Sequence, residues 1–270
     1  MASDTALIGV GVMGEAVLTS LLTVVDPAQV RISDGRPEHG RERAAAHGVR
    51  WVEQNVEAVA CADVVIVAVK PKDVAAVLAE IDPVLGPEVL VVSIAAGIPT
   101  AFIESRLEAP VPVVRVMPNT PATIGQGVSV MSPGSHTTDS HLDQVAQLLS
   151  GTGTVLRVPE SDQDAVTAIS GSGPAYVFYL IDALAEAGVL GGLSRATALE
   201  LATRTVAGAG AMAAASGEHP VVLREQVSSP AGTTVAGVRA LDQHGVRAGV
   251  VAAVEAARAR SVELGRSLEE

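Results

Sequence analysis

The chain has 270 residues and a net charge of −12 at neutral pH, which argues against nucleic-acid binding because that binding depends on a basic face. Apolar residues make up 48% of the chain and aromatic residues only 2%, so a sizeable core is expected to consist of Val, Leu, Ile and Ala. A single cysteine, Cys61, excludes an internal disulfide and fits a reducing, cytoplasmic setting; we expect its side chain to be buried.

Short apolar runs alternate with helical segments over the first 159 residues. The run at 63–69, DVVIVAV, is typical of a strand that is covered on both faces. Strands that alternate with helices predict βαβ units, and therefore an α/β fold with a Rossmann-type, doubly wound and mostly parallel sheet over 1–159. The predicted strands are 6–10, 30–33, 63–69, 88–95, 111–117, 127–132 and 154–158.

From residue 160 onward the pattern changes to long Ala-, Leu- and Val-rich stretches that are broken by Gly and Pro. It predicts an all-α domain over 160–270 with no strand. A monomer would leave large apolar faces of these helices in water, so we expect a homodimer formed through this domain. The most apolar run, 198–215, is interrupted by Glu200 and Arg204, which favours a packed helix over a membrane span. The N-terminus does not resemble a signal peptide. The predicted helices are 173–188, 194–216, 230–245 and 246–265.

The sequence IGVGVMG at residues 8–14 follows the first predicted strand and opens the first helix. Gly9, Gly11 and Gly14 form a GxGxxG pattern, whose backbone N–H groups and helix dipole can hold a pyrophosphate. The pattern alone also fits a simple tight turn, but its position between strand and helix favours dinucleotide binding. Gly11 would let the backbone approach the phosphates, and Gly14 would let helix and strand pack closely.

The second predicted strand ends in two conflicting signals. Asp34 stands twenty residues after Gly14, where an acid accepts hydrogen bonds from a ribose 2′-hydroxyl and favours NAD. Arg36, two residues later, would instead bind the 2′-phosphate of NADP. The residues themselves leave both cofactors open.

Further cofactor contacts are expected where other strands end. Lys70, in VAVKP, lies either near the phosphates or nicotinamide ribose or simply in solvent. The segment SIAAG at 93–97 is small enough for close approach to a nicotinamide. The loop RVMPNTP at 115–121 would close over the cleft, with Asn119 as its polar contact.

Five segments together resemble one known family. IGVGVMGEA, VAVKP, RVMPNTP, SGSGPAY and LREQVSSPAGTTVAGVRALD occur in one order and closely resemble pyrroline-5-carboxylate reductase over nearly the whole chain. The resemblance implies reduction of the C=N bond of 1-pyrroline-5-carboxylate to proline, the last step of proline biosynthesis. It also implies a homodimer through the helical domain and, as in many members, a ring of five dimers. NADPH is the implied cofactor, with NADH as the alternative that Asp34 keeps open.

The resemblance and the motifs also assign site residues. Ala231 departs from the Gly of many relatives, and Gln226 stands where some have Asn. The implied substrate contacts are Gln226, Val227, Ser229, Gly232, Thr233 and Thr234. The implied cofactor contacts are Ile8, Gly9, Val10, Gly11, Val12, Met13, Gly14, Asp34, Arg36, Asn55, Ala68, Val69, Lys70, Pro71, Ala95, Ala96, Gly97 and Asn119.

The segment VSSPAGTT at 227–234 contains no side chain that titrates near neutral pH. We expect Ser229 to cap a helix whose first residue is Pro230, so that the N–H groups of Ala231, Gly232 and Thr233 bind the substrate carboxylate. The Thr234 hydroxyl would orient the imine nitrogen and relay a proton from water, while the cofactor carries the hydride.

Three other interpretations compete with this one. A 3-hydroxyacid dehydrogenase would use a lysine of the second domain, but no lysine follows Lys72. A broader imine reductase stays open, and a binding protein that senses the cofactor without turnover would not need the hydroxyl cluster. The six histidines show no metal-ligand spacing, so we expect surface roles for them and no metal site.

Overall fold

The computed structural model describes residues 3–266. Eight strands form one sheet in the order β3-β2-β1-β4-β5-β6-β7-β8, and every neighbouring pair is parallel except β6 and β7. This arrangement confirms the predicted α/β fold with a doubly wound sheet. The strands are Thr5–Ile8 (β1), Val30–Ser33 (β2), Arg50–Trp51 (β3), Val64–Val67 (β4), Leu90–Ser93 (β5), Val113–Met117 (β6), Gly127–Pro133 (β7) and Gly153–Arg157 (β8).

The central strands are buried on both faces, as their apolar sequences predict. Along β4, the side chain of Ile66 joins one apolar cluster of the core, whereas those of Val65 and Val67 join a second cluster. Successive strand residues point to opposite faces, so the two clusters lie on the two sides of the sheet. Each fully buried Val, Leu or Ile contributes about 1.5–3 kcal/mol to folding.

Helices connect these strands. The segment TAFIESRL at 100–107 has a helical composition, and its helix ends at Glu104. The sequence analysis missed β3 and the helix at 55–59, because elements of two and five residues are too short to show a periodic pattern. The helices of this part are Val12–Leu21 (α1), Pro37–His47 (α2), Asn55–Val59 (α3), Val74–Ile81 (α4), Thr100–Glu104 (α5) and Asp139–Leu148 (α6).

Beyond β8 the described residues form helices only. A five-residue π-helix, Thr167–Gly171, directly precedes the helix that contains most of SGSGPAY. The helix at 220–226 was not predicted, and the helix predicted to start at 230 starts at 233. The helices are Gln163–Val166 (α7), Gly173–Leu190 (α8), Arg195–Ser216 (α9), Pro220–Gln226 (α10), Thr233–Gln243 (α11) and Val246–Arg266 (α12).

The chain forms two compact units. One comprises the chain up to Gly171 together with the segment from Ala257 onward, and the other comprises Ser172–Ala256. The boundary predicted at 159/160 stays a prediction. In the second unit, α8 and α9 pack through a small cluster of buried alanines, so many larger apolar side chains of this unit lie exposed.

One stretch of the described chain, residues 160–190, is long and apolar enough to cross a membrane by length and composition. The same properties suit helices that pack against a second subunit. Aromatic and aliphatic side chains along α8 are exposed on the single chain, among them Tyr179 and Leu190. The predicted homodimer would cover these exposed side chains.

The expectation that Cys61 is buried was wrong. The residue follows α3 in a turn, where its neighbour Ala62 takes the buried position and the Cys61 side chain is exposed. A cysteine's apolar character did not decide its place: in this turn Ala60 and Cys61 are exposed and Ala62 is buried.

Candidate functional site

The glycine-rich loop joins β1 to α1, as predicted. Gly9 has a positive φ of 93°, and a Cβ there would lie 2.8 Å from the carbonyl oxygen of Ala68. A Cβ on Gly14 would collide with the carbonyl oxygen of Gly9. A Cβ on Gly11, the N-cap of α1, would meet nothing within 4 Å. Gly9 and Gly14 are therefore required by the fold, whereas Gly11 leaves open space beside a helix N-terminus.

The loop forms one wall of a cleft of about 740 Å³. The cleft lies beside β1 and β4, where the strand order reverses, and ligands of doubly wound sheets bind at such points. Of the predicted cofactor contacts, Met13, Gly14, Pro71, Ala95, Ala96, Gly97 and Asn119 are not among the lining residues. The cleft is lined by Ile8, Gly9, Val10, Gly11, Val12, Glu15, Asp34, Gly35, Arg36, His39, Arg43, Asn55, Ala68, Val69, Lys70, Lys72, Asp73 and Val77.

The carboxylate of Asp34 accepts hydrogen bonds from within the protein. Its Oδ2 accepts the Val10 N–H at 2.9 Å, and its Oδ1 accepts the Arg36 N–H at 2.9 Å and the Arg36 Nε at 3.2 Å. Burial acts to raise the pKa of Asp34, but the two backbone hydrogen bonds and the guanidinium outweigh it and hold that pKa below its usual value. The Asp34 side chain is 7% exposed and that of Arg36 is 66% exposed, so the arginine is the more accessible of the two.

Asn55 also lines the cleft and is held in a fixed orientation. Its Oδ1 accepts the Ser33 hydroxyl at 2.7 Å, and its Nδ2 donates to Glu80 Oε2 at 2.7 Å. Glu80 Oε1 also accepts the Asn55 backbone N–H at 3.2 Å. Glu80 of α4 therefore holds both the start of α3 and the amide that faces the cleft.

Sequence reasoning missed seven residues that line the cleft, among them Glu15, His39 and Arg43. Glu15 Oε1 accepts from Arg43 Nη1 at 2.9 Å and lies 3.1 Å from His47 Nε2. Burial acts to raise the pKa of Glu15, but His47 and Arg43 outweigh it and lower that pKa. The expectation of surface roles was wrong for His39 and His47, which are both half-buried. Their spacing, 39, 43 and 47 on one helix face, was the available signal.

Asn119 forms a bridge within the first unit. Its Nδ2 donates to the carbonyl oxygen of Ser170 at 3.1 Å, and its Oδ1 accepts the Val128 N–H at 2.8 Å. Asn119 therefore joins the loop after β6 to β7 and to the π-helix. Its contact with a cofactor stays a prediction.

The VSSPAGTT segment does not begin a helix at Pro230, so the expectation of Ser229 as N-cap was wrong. Gly232 is the N-cap of α11, and its N–H donates to the Ser229 carbonyl oxygen at 2.9 Å. Pro230 and Ala231 occupy the centre of this tight turn, and Ala231 has a φ of 56°. Proline followed by a residue with positive φ is the type II turn pattern, which takes precedence here over the helix start that proline also favours.

The turn changes which N–H groups face outward. The Gly232 N–H is used in the turn, so the first-turn donors of α11 are those of Thr233, Thr234 and Val235. A Cβ on Gly232 would collide with the Ser229 hydroxyl oxygen. The hydroxyl of Ser229 therefore lies directly against the backbone at the start of α11, beside the two threonines.

Comparison with known proteins assigns the family. A family model described as pyrroline-5-carboxylate reductase dimerisation matches residues 160–264, and one described as NADP oxidoreductase, coenzyme F420-dependent, matches residues 4–97. A pyrroline-5-carboxylate reductase of Corynebacterium melassecola is 45% identical over 265 residues, which cover 97% of this chain and 98% of the relative. The chain belongs to the pyrroline-5-carboxylate reductase family. This membership confirms the resemblance that the five sequence segments carry.

Solved structures of pyrroline-5-carboxylate reductases share the fold. One from Coxiella burnetii is 31% identical with a TM-score of 0.93, covering 98% of this chain and 99% of that one. One from Plasmodium falciparum, solved with NADP bound, is 28% identical with a TM-score of 0.86, covering 97% and 98%. The cleft of this chain lies within the range of the NADP oxidoreductase model, and its features fit an anionic dinucleotide: open space at Gly11, a helix N-terminus and the cations of Arg36 and Lys70.

Proposed function

We propose that this chain reduces the C=N bond of 1-pyrroline-5-carboxylate to L-proline with NAD(P)H, the last step of proline biosynthesis. The observation that carries the proposal is the hydroxyl-bearing turn at the start of α11, in a chain 45% identical to a pyrroline-5-carboxylate reductase. A protein that only binds a dinucleotide would not need this turn.

The cleft of the first unit is the proposed cofactor site. The backbone N–H groups of the glycine-rich loop and the N-terminus of α1 would hold the pyrophosphate. Asn55 and Lys70 would contact the rest of the cofactor. When bound, the reduced nicotinamide supplies a hydride. The proposed contacts outside the cleft lining are Met13, Gly14, Pro71, Ala95, Ala96, Gly97 and Asn119.

NADPH is the proposed preference. Asp34 already accepts three intramolecular hydrogen bonds and is almost buried, so it has little capacity left for a ribose hydroxyl. The guanidinium of Arg36 is exposed and contacts Asp34 through Nε, so its two Nη groups could approach a 2′-phosphate in the bidentate geometry that phosphates favour.

The start of α11 is the proposed substrate site. The N–H groups of Thr233, Thr234 and Val235, with the hydroxyls of Ser229 and Thr233, would hold the carboxylate without desolvating a large cation. Gln226 and Val227, at the end of α10, and Gly232 would complete its walls. Hydride addition forms a C–H bond at the imine carbon, and the nitrogen gains a proton from water through the Thr234 hydroxyl.

We also propose a homodimer through the helical domain, assembled into a pentamer of dimers, in a soluble cytoplasmic enzyme. Support for the dimer comes from the match to a dimerisation family model over 160–264 and from the exposed apolar side chains of α8. The net charge of −12 supports a small-molecule substrate rather than nucleic acid.

The decisive experiment follows oxidation of NADPH and of NADH in parallel, with 1-pyrroline-5-carboxylate as the sole acceptor and proline as the assayed product. Thr234→Val removes the hydroxyl and keeps the shape, so we expect at least a tenfold loss of kcat with unchanged cofactor affinity. Thr154→Val, on exposed β8, is the matched control and should behave like the wild type. Normal turnover by Thr234→Val would refute the assigned role, and absence of turnover in wild-type protein that binds cofactor would favour a binding protein.

The cofactor preference has its own test. Arg36→Ala should raise the KM for NADPH about tenfold to a hundredfold, since a charge-assisted hydrogen bond contributes about 1.5–3 kcal/mol, and should leave the KM for NADH unchanged. An equal rise in both KM values would show that Arg36 acts on the cleft as a whole and does not select the 2′-phosphate.

A further inference from the structure

The helix α2 holds the glycine-rich loop through a residue that no motif singles out. His39 Nε2 lies 3.0 Å from the carbonyl oxygen of Val10. A carbonyl oxygen can only accept, so Nε2 is the protonated nitrogen and His39 is the donor. His39 is half-buried and lines the cleft.

Val10 is held at both of its backbone polar groups. Its N–H donates to Asp34 Oδ2 at 2.9 Å, and its carbonyl oxygen accepts from His39. The preceding Gly9 N–H donates to the Ser33 carbonyl oxygen at 2.8 Å. The loop is therefore tied to the end of β2 and to α2 at three successive backbone groups.

The His39 contact controls one donor of the loop through peptide geometry. The carbonyl of Val10 and the N–H of Gly11 belong to one planar trans peptide and point in opposite directions. A hydrogen bond that fixes the carbonyl also fixes the direction of the Gly11 N–H, and a Cβ on Gly11 would meet nothing within 4 Å. A donor that is already aligned lowers the ordering cost of binding a phosphate.

His39 belongs to a stripe on α2 that serves the same wall. Arg43 and His47 follow at intervals of four residues, which places all three on one helix face. Arg43 and His47 both contact Glu15, which lies in the first turn of α1. The stripe thus holds the loop at one end and α1 at the other.

We propose that His39 is a positioning residue for dinucleotide binding, which acts through the Val10 carbonyl on the phosphate-binding N–H of Gly11. This inference rests on the proposed cofactor site. Because the pyrophosphate is common to both cofactors, His39 affects NADPH and NADH alike, in contrast to Arg36.

The test is a calorimetric titration of the full chain with NADPH and with NADH, without the imine. His39→Gln keeps a donor at about the reach of Nε2, whereas the shorter His39→Asn keeps the polarity but not the reach. We expect His39→Ala and His39→Asn to weaken both cofactors by the same factor, about tenfold for one lost hydrogen bond. The affinity of His39→Gln for each cofactor should stay within about twofold of the wild-type value. His136 is an exposed histidine outside the cleft, and His136→Ala should bind both cofactors like the wild type.

Two further readouts separate positioning from general destabilisation. In the unliganded protein, amide exchange should accelerate in residues 8–15 of His39→Asn and stay unchanged in β4. In steady state the KM for each cofactor should rise, while kcat and the KM for the imine substrate stay unchanged.

Three results would overturn the inference: wild-type affinity in both His39→Ala and His39→Asn, a loss confined to NADPH, or failure of His39→Gln to restore binding. A wild-type chain that binds neither cofactor would refute the proposed cofactor site and this inference with it. A wild type that binds normally beside unaffected variants would refute the role of His39 alone.

Discussion

At the scale of single residues, three glycines of one motif serve different purposes. Gly9 adopts a positive φ and approaches the Ala68 backbone, and Gly14 lies against the Gly9 carbonyl oxygen. Gly11 has an ordinary negative φ of −66° and no neighbour that a Cβ would meet. The backbone at Gly11 is therefore accessible to a ligand.

This difference predicts opposite effects of two alanine substitutions. Gly14→Ala should lower the free energy of unfolding by about 1–3 kcal/mol, because backbone atoms must move to admit the methyl group. Gly11→Ala should change it by no more than about 1 kcal/mol but should weaken NADPH binding at least tenfold. Urea unfolding and calorimetric titration measure the two effects. A Gly11→Ala protein that binds NADPH like the wild type would show that phosphates do not approach this position.

At the scale of elements, the entry into α11 shows a turn and a helix start competing for one proline. Pro230 fits the first turn of a helix and equally the second position of a type II turn. The turn is observed, although Ala231 must adopt a left-handed φ of 56°, which costs about 1–2 kcal/mol for a residue with a Cβ. The turn moves the helix start to Thr233 and leaves the hydroxyls and N–H groups of Thr233 and Thr234 together.

The strain at Ala231 predicts that glycine at this position would make the protein more stable than alanine does. Ala231→Gly relieves the left-handed strain but increases the entropy of the unfolded chain, so we expect a net gain of up to about 1 kcal/mol in the free energy of unfolding. Ala236→Gly, inside α11, should instead lose about 0.5–1 kcal/mol. Chemical denaturation of both variants provides the comparison. A loss of similar size in both would mean that Ala231 is not strained.

At the scale of the whole molecule, the two compact units differ in how well each buries its apolar residues. The first unit has two large clusters on the two faces of its sheet. The second has a cluster of three buried alanines and exposes many Leu, Val, Phe and Tyr side chains. A unit with so little core of its own needs a partner surface, and the match to a dimerisation family model supports a second copy of the chain.

The predicted association can be tested on α8. Leu180 and Leu184 lie four residues apart and are 46% and 43% exposed, so glutamates at both positions should abolish the assembly or prevent folding. Leu156→Glu on β8 is the matched control, since Leu156 is 48% exposed and lies outside the dimerisation match. Sedimentation should show at least two chains per particle for the wild type and the control. A wild-type protein that sediments as one chain would refute the proposed dimer.

Periodicity by itself determined most of the fold. The runs of β-branched residues specified seven of the strands, since a strand buried on both faces has few other compositions available. The glycine-rich motif specified the loop before α1, because Gly9 and Gly14 occupy positions where a side chain would meet the backbone. The helical half was predictable from its long apolar stretches, apart from the short helices α7 and α10.

Only the tertiary structure decided how side chains that are distant in sequence share their hydrogen bonds. Asp34 and Arg36 were equal candidates in the sequence, and only the structure shows that Asp34 is almost buried against the Val10 N–H whereas Arg36 is exposed. His39 and Glu15 carry no motif, and they matter because α2 packs beside the loop and α1. Local sequence determines where a chain is extended, helical or turned, whereas the partners of a polar group depend on which segments the packed core brings within about 3 Å.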